Sequence, residues 1–268
     1  MMTAKTTERI LIAGYLGVCA LCVQMVVWIA YSPGSCTTLR EDMFDPTRTT
    51  FVPKNLILKY KAGRHWAVCA THILPACLWS ALIPFLLHRQ ARKMYTKAHR
   101  VLGRVFFACG ASMVYGYYLI HKRGLHFHAT DFPTLSSDEA ISFVFDYKLI
   151  GASFVLYEHA GAMWFAYTLA RAFASIAIFG DSKRHRIWTW RHVGAGLSIA
   201  FQRVFIMLHH AYFTAAYGYG SSHVPEIQKP IFADSLVYGG IVSVLYAELC
   251  CFVVYDAAAL AKQKLKQK

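Results

Sequence analysis

The chain is 268 residues long, 56% hydrophobic and only 16% charged, where a soluble domain usually carries about 25% charge. Runs of about twenty largely apolar residues point to an all-α, polytopic membrane helix bundle, and exclude a β-barrel, whose strands of about ten residues alternate in hydropathy. The net charge of +14 does not signal nucleic acid: the cations border the apolar runs, where topology determinants belong, and no soluble domain remains to carry such an interface.

The first predicted span covers residues 10–31, behind Lys5, Glu8 and Arg9. Its apolar run exceeds the core of about 7–15 residues in a cleaved signal, so it reads as a retained signal-anchor helix. Ser32-Pro33-Gly34 ends it as a turn. The second span, 65–87, contains Pro75 and Pro84. Both predict kinks, tolerable where a neighbouring helix satisfies the freed carbonyls. Further spans follow at 101–120, 147–170, 193–216 and 235–258, giving six within one domain, 1–268. The eight cysteines fall mostly in apolar runs and do not form a secreted disulfide framework. Cys19 and Cys22 of the first span read as small apolar residues.

Six spans place both termini and the second and fourth connections on one face. That face carries 17 of the 28 Lys and Arg residues, and the other carries 10, with nine of the fourteen acidic residues. The imbalance puts both termini on the cytoplasm-equivalent side.

Ionisable groups within a membrane are costly and face the bundle interior. Glu158, Arg203 and Glu248 all fall near mid-membrane, counted at about 1.5 Å rise per residue. An Arg203–Glu248 pair, or Arg203 between both carboxylates, is expected, either as a buried ion pair that fixes packing or as part of a proton pathway.

Four histidines on four successive spans, His72, His99, His159 and His192, admit a sharper reading. Bis-imidazole ligation of a b-type haem needs histidines from two helices at matching depth, with small residues leaving room for the macrocycle. His99 and His192 match in depth, and Gly103 and Gly196 follow them by four residues, on the same helical faces. His72 and His159 differ in expected depth by about 7 Å, and His209 or His210 matches His72 better. Each of these histidines has packing or hydrogen bonding as its alternative role. At the basic face Lys93, Lys97 and Arg100 are candidates for a small anionic reductant, or else serve topology and lipid headgroups.

The layout of six spans with histidines on the second to fifth resembles the cytochrome b561 family of two-haem transmembrane electron carriers. The text around Lys97-Ala98-His99, Tyr157-Glu158-His159-Ala160-Gly161 and His192-Val193-Gly194 is similar to that family's pattern. The resemblance implies haem b as cofactor, with His72 pairing His159 and His99 pairing His192, and ascorbate as the anionic reductant. A second resemblance, over about residues 65–203, is to the multi-pass membrane family known as domain of unknown function 2306 (DUF2306). It is carried by His99-Arg100-Val101-Leu102-Gly103-Arg104, by His185-Arg186-Ile187-Trp188-Thr189-Trp190-Arg191 and by Arg203. It implies a fold but no activity. Three functions stay open: a transmembrane oxidoreductase that transfers electrons, a cofactor-free subunit or scaffold (as a homodimer or within a larger membrane complex), and a proton-coupled transporter using the buried Glu, Arg and His residues.

Overall fold

The computed structural model describes residues 4–30, 65–125, 147–218 and 225–266. The turn at residues 32–34 lies outside them. The described chain is helical apart from short connections, with no strand among the described residues. Helix α1 is Ala4–Ala30, α2 spans Trp66–Leu87, and α3 is the short Arg89–Met94. The remaining helices are α4, Thr96–Lys122, α5, Tyr147–Ala177, α6, Ser182–Tyr217, and α7, Pro225–Lys266.

Three stretches are long and apolar enough to cross a membrane: Glu8–Val27, Trp66–Leu87 and Ile231–Val253. They coincide, within a few residues, with the first, second and sixth predicted spans, and are compatible with an integral membrane protein. The other three predicted spans lie inside α4, α5 and α6, of 27, 31 and 36 residues. Those helices have the length, but no stretch of their described residues is equally apolar. Their polar side chains turn inward instead: Thr168, His192, Gln202 and His210 are all buried.

Packing closes the six long helices into a ring. Helix α2 lies between α1 and α4, α5 joins α4 to α6, and α7 returns along α6 to α1. The α6–α7 pairing is the most extensive and depends on small residues, as helix contacts in membranes do. A methyl group on Gly194 would come within 2.5 Å of the Ala247 Cβ, and one on Gly239 within 2.5 Å of the Gln202 backbone nitrogen.

Of the two prolines of α2, Pro75 acts as its chemistry requires, while the helix runs on through Pro84. Pro75 has no N–H to give the carbonyl of Thr71, four residues back. Just before it the helix widens into a π-turn, Cys69–Ile73, with the Leu74 N–H bonded to Cys69 O. The freed Thr71 carbonyl accepts from Ser112 Oγ of α4 at 2.9 Å, and His72 Nδ1 donates to Met113 O, also at 2.9 Å. Gly116 permits this approach: a Cβ there would fall 2.6 Å from that of His72. Near Pro84, α1 adds the Tyr15 hydroxyl, which donates to the Pro84 carbonyl at 3.1 Å. On its other flank α1 is held to α7 by the Tyr246 hydroxyl, which donates to Gly14 O.

Trp79 of α2, 1% exposed, occupies the centre. It stacks on Phe106 of α4 at 5.2 Å and meets His192 of α6 edge-on at 5.5 Å. The absent side chain of Gly196 makes room for its indole, since a Cβ there would fall 2.3 Å from the ring.

Candidate anion-binding cavity

Helix α2 stops at Leu87 because His88 turns the backbone to an extended conformation (φ −67°, ψ 118°). His88 then caps α3, its Nδ1 accepting from Ala91 N at 3.1 Å. In α3, Arg89, Arg92 and Lys93 stand three and four residues apart and so share one side of the turn. Tyr95 breaks the helix (φ −119°, ψ 51°), α4 begins at Thr96, and His99 falls in its first turn. Across from it, Asp181 caps α6 by accepting from the backbone N–H groups of Lys183 and Arg184, at 3.0 and 2.9 Å. His185 thereby falls at the end of the first turn of α6, and Arg186 opens the second.

These elements and the first half of α1 border an open cavity of about 1050 Å³. Among the described residues four permanent cations line it, Arg89, Arg92, Lys93 and Arg186, against a single carboxylate, Glu8. Neither the Arg184–Asp181 nor the Arg191–Glu248 ion pair involves a lining cation. Three imidazoles, His88, His99 and His185, share the wall. The remaining lining is hydrocarbon and aromatic, including Leu11, Ile12, Ile83, Leu86, Phe106 and Trp190.

The crowding of positive charge registers on the groups themselves. Burial holds the Arg92 guanidinium below its ordinary range, and Arg186 and Arg89 add repulsion. Burial, Arg92 and His185 together lower the His99 pKa beneath the usual 6.5. His185 is lowered by burial, Arg92 and Arg186, against the opposing effect of its bond to Ala172. That bond, from His185 Nδ1 to Ala172 O at 2.9 Å, sets the tautomer: a carbonyl only accepts, so Nδ1 carries a proton and Nε2 is left to the cavity side. His99 Nδ1 is buried without a hydrogen-bond partner. Cations without an ion pair among the described residues, beside one buried imidazole nitrogen without a partner, are groups that an anion can complete.

The anion residues expected from sequence are only partly gathered here. Lys93, exposed on α3, lines the cavity, whereas Lys97 and Arg100, exposed on α4, do not. Arg89, Arg92 and Arg186 supply the other charges. The 89/92/93 spacing was the available signal for two of them, but nothing local joins it to Arg186 across the bundle.

The haem candidates are placed differently. His192 is completely enclosed. Its Nε2 accepts from the Trp79 indole N–H at 3.3 Å, so Nδ1 holds the proton and donates to Thr168 Oγ1, also at 3.3 Å. The Thr168 hydroxyl in turn donates to Trp164 O at 2.9 Å. Both ring nitrogens are thus engaged, and Trp79, Phe106 and Phe165 pack around the ring, Phe165 at 4.4 Å. His99 faces the cavity, while His192 is not part of its lining. The pair does not fit haem ligation: no nitrogen of His192 is left for iron, and aromatic rings fill the space beside it. Gly196, expected to make room for a macrocycle, accommodates Trp79, whereas a Cβ on Gly103 would meet nothing within 4 Å.

On the other half of the bundle, His72 and His159 both attach to α4. His72 bonds Met113 O, and His159 Nδ1 is hydrogen-bonded to the Tyr117 hydroxyl at 3.2 Å, with His121 edge-on at 4.8 Å. Met113 and Tyr117 are one helical turn apart, about 6 Å. Of the alternates, His209 Nδ1 bonds Phe205 O at 2.8 Å, and its ring stacks on Tyr238. His210 is buried.

The expected Arg203–Glu248 pair is replaced by another. Arg191 grips Glu248 with two bonds, of 2.6 and 2.9 Å, while the Arg203 guanidinium lies over the Phe232 ring at 5.7 Å. The reason is register. Helix α6 begins at Ser182, so Arg191 is already in its third turn, and the antiparallel fit of Gly194 against Ala247 sets Arg191 beside Glu248. Arg191 also covers one face of Trp188 at 4.7 Å, with Arg171 at 5.0 Å from the same ring. Glu158 is half-buried on α5.

Compared with models of known protein families, with curated proteins and with solved structures, the chain finds no match in any of the three.

Proposed function

We propose that the protein is a six-span integral membrane protein, both termini on the cytoplasm-equivalent side, whose working site is the basic cavity and whose role is to bind an anionic ligand there. One observation carries the reading: four cations and three imidazoles line a single cavity that offers one carboxylate in return. Arg89, Lys93 and Arg186 are exposed, and only Arg92 is partly buried, so each is solvated on one side while it borders the cavity. Gathered around one open volume, they offer an anion several charge-assisted donors at once. Charge-assisted bonds from arginine forks to such a ligand are shorter and stronger than neutral ones. The reading needs no cofactor.

The test is a thermal-stability titration of detergent-purified protein with inorganic phosphate, sulfate and short-chain carboxylates at low ionic strength. A saturable rise in Tm with at least one anion is expected, and Arg92→Gln combined with Arg186→Gln abolishes it. If no anion shifts Tm, or the double variant responds as the parent does, the cavity is not an anion site.

A further inference from the structure

We propose that the occupant of the cavity is an anionic amphiphile drawn from the membrane, with a phosphomonoester headgroup among the arginines and a hydrocarbon chain against α1. This inference rests on the anion-binding reading and specifies its ligand.

The cavity is chemically divided. Arg89, Arg92, Lys93 and Arg186, with His99 and His185, supply its polar lining, and Leu11, Ile12, Leu16, Ile83, Leu86 and Phe106 supply an apolar lining. A small inorganic anion satisfies only the polar lining and leaves the apolar one in water. The volume, about 1050 Å³, slightly exceeds the ~300–1,000 Å³ found for pockets that hold drug-sized organic ligands. Three guanidiniums and an ammonium match a doubly charged phosphate better than a carboxylate, since each arginine fork takes two oxygens.

The route of entry follows from α1. Ile12 and Leu16 line the cavity and yet are 53% and 59% exposed. The same residues therefore belong to the cavity wall and to the outer surface of a helix apolar enough to cross a membrane. On that side the cavity is unsealed and faces the lipid, and a chain can enter sideways while its headgroup stays at the level of α3. Glu8, near the start of α1, is the one group that opposes an anion, and the four cations outnumber it.

Gly103 supplies a clean test. It lines the cavity, and a Cβ there would meet nothing within 4 Å. Gly103→Leu accordingly starts a side chain in open space on the cavity wall and replaces a poor helix former by a good one. Purified protein is titrated with dioctanoyl phosphatidic acid, dioctanoyl phosphatidylcholine and inorganic phosphate. Tm and tryptophan fluorescence are followed, Trp190 being in the wall. Phosphatidic acid is expected to bind at least tenfold more tightly than phosphate, and phosphatidylcholine to give no saturable signal. Gly103→Leu should weaken phosphatidic acid tenfold or more, leave phosphate binding within about twofold, and keep its Tm. Arg92→Gln should weaken both anions.

Equal affinity for phosphate and phosphatidic acid, with Gly103→Leu affecting neither, overturns the amphiphile and leaves the anion site standing. Equal responses to the two lipids overturn it as well, since they show general lipid stabilisation. Phosphatidic acid binding that survives Gly103→Leu puts the lipid outside the cavity. No response to any of the three, with Arg92→Gln silent, removes the anion site itself.

Discussion

Two neighbouring regions of the bundle use histidine in opposite ways. Around Trp79 the imidazole of His192 is enclosed, hydrogen-bonded at both nitrogens and packed against three aromatic rings. In the cavity beside it, which Phe106 and Trp190 also line, His99 keeps a buried nitrogen without a partner and shares its wall with four cations. The first region is finished, with every donor of His192 answered within the chain. The second is not, and what completes it comes from outside. A buried polar residue therefore says little by its presence. Whether its partners lie within the protein decides between structure and function.

The sharpest break of this contrast is Trp79→Ala. It empties the centre of the bundle and leaves His192 Nε2 without its donor, and a loss of the order of 3–5 kcal/mol is expected. Denaturant unfolding in detergent measures it, and a loss below about 1 kcal/mol would mean that Trp79 does not organise the core. Thr168→Val is a milder intrusion, which removes one acceptor of the His192 Nδ1 proton and leaves it the Phe165 backbone, at a cost of about 1 kcal/mol. By contrast, His99→Leu in the cavity should cost little or raise Tm. A destabilisation by His99→Leu as large as that of Thr168→Val would erase the distinction between the two regions.

Acidity probes the same difference more gently. His99 and His185 have pKa values below the ordinary 6.5 in the folded protein. As pH falls through that value, the unfolded chain takes up protons that the folded imidazoles still refuse. Their contribution to stability is thus complete above the ordinary value and declines on acidification through the depressed folded values. Anion-free protein should lose Tm between about pH 7.5 and 5, and a saturating anion should reduce that loss by favouring the charged imidazoles. The double variant His99→Leu, His185→Leu should show a flatter profile. An identical profile would mean that other groups set the acid limit.

The smallest expected effect concerns the π-turn. Ser112→Ala removes the donor that answers the carbonyl freed by Pro75, for about 1 kcal/mol. The spectrum of the purified protein accompanies these tests. With His192 committed to Trp79 and Thr168, no absorbance of a haem ligated by His99 and His192 is expected after reduction with dithionite. A sharp α-band near ~560 nm that disappears in His192→Leu would show that the enclosed imidazole opens for iron.

Much of the architecture was legible from local pattern. Hydropathy and run length belong to contiguous residues, so the helical class and the apolar spans near 10–31, 65–87 and 235–258 could be read directly. The distortion of α2 was equally readable, because proline lacks an N–H wherever it stands. The site was less so. The spacing of Arg89, Arg92 and Lys93 marks a common side of one turn, but its meeting with Arg186 joins residues more than ninety positions apart.

By itself, then, the sequence determined which stretches are helical and apolar, where charge is concentrated, and that several histidines and carboxylates lie among apolar residues. Only the tertiary structure decided what each of those groups meets: Trp79 for His192, Arg191 rather than Arg203 for Glu248, and an open cavity for His99. The physical reason is rotation and register. Each residue turns a helix by about 100° and advances it by about 1.5 Å. Sequence spacing therefore relates residues along one helix but leaves open how two helices face each other. That choice is made by contacts such as Gly194 against Ala247 and Gly196 against Trp79, which exist only once the bundle has formed.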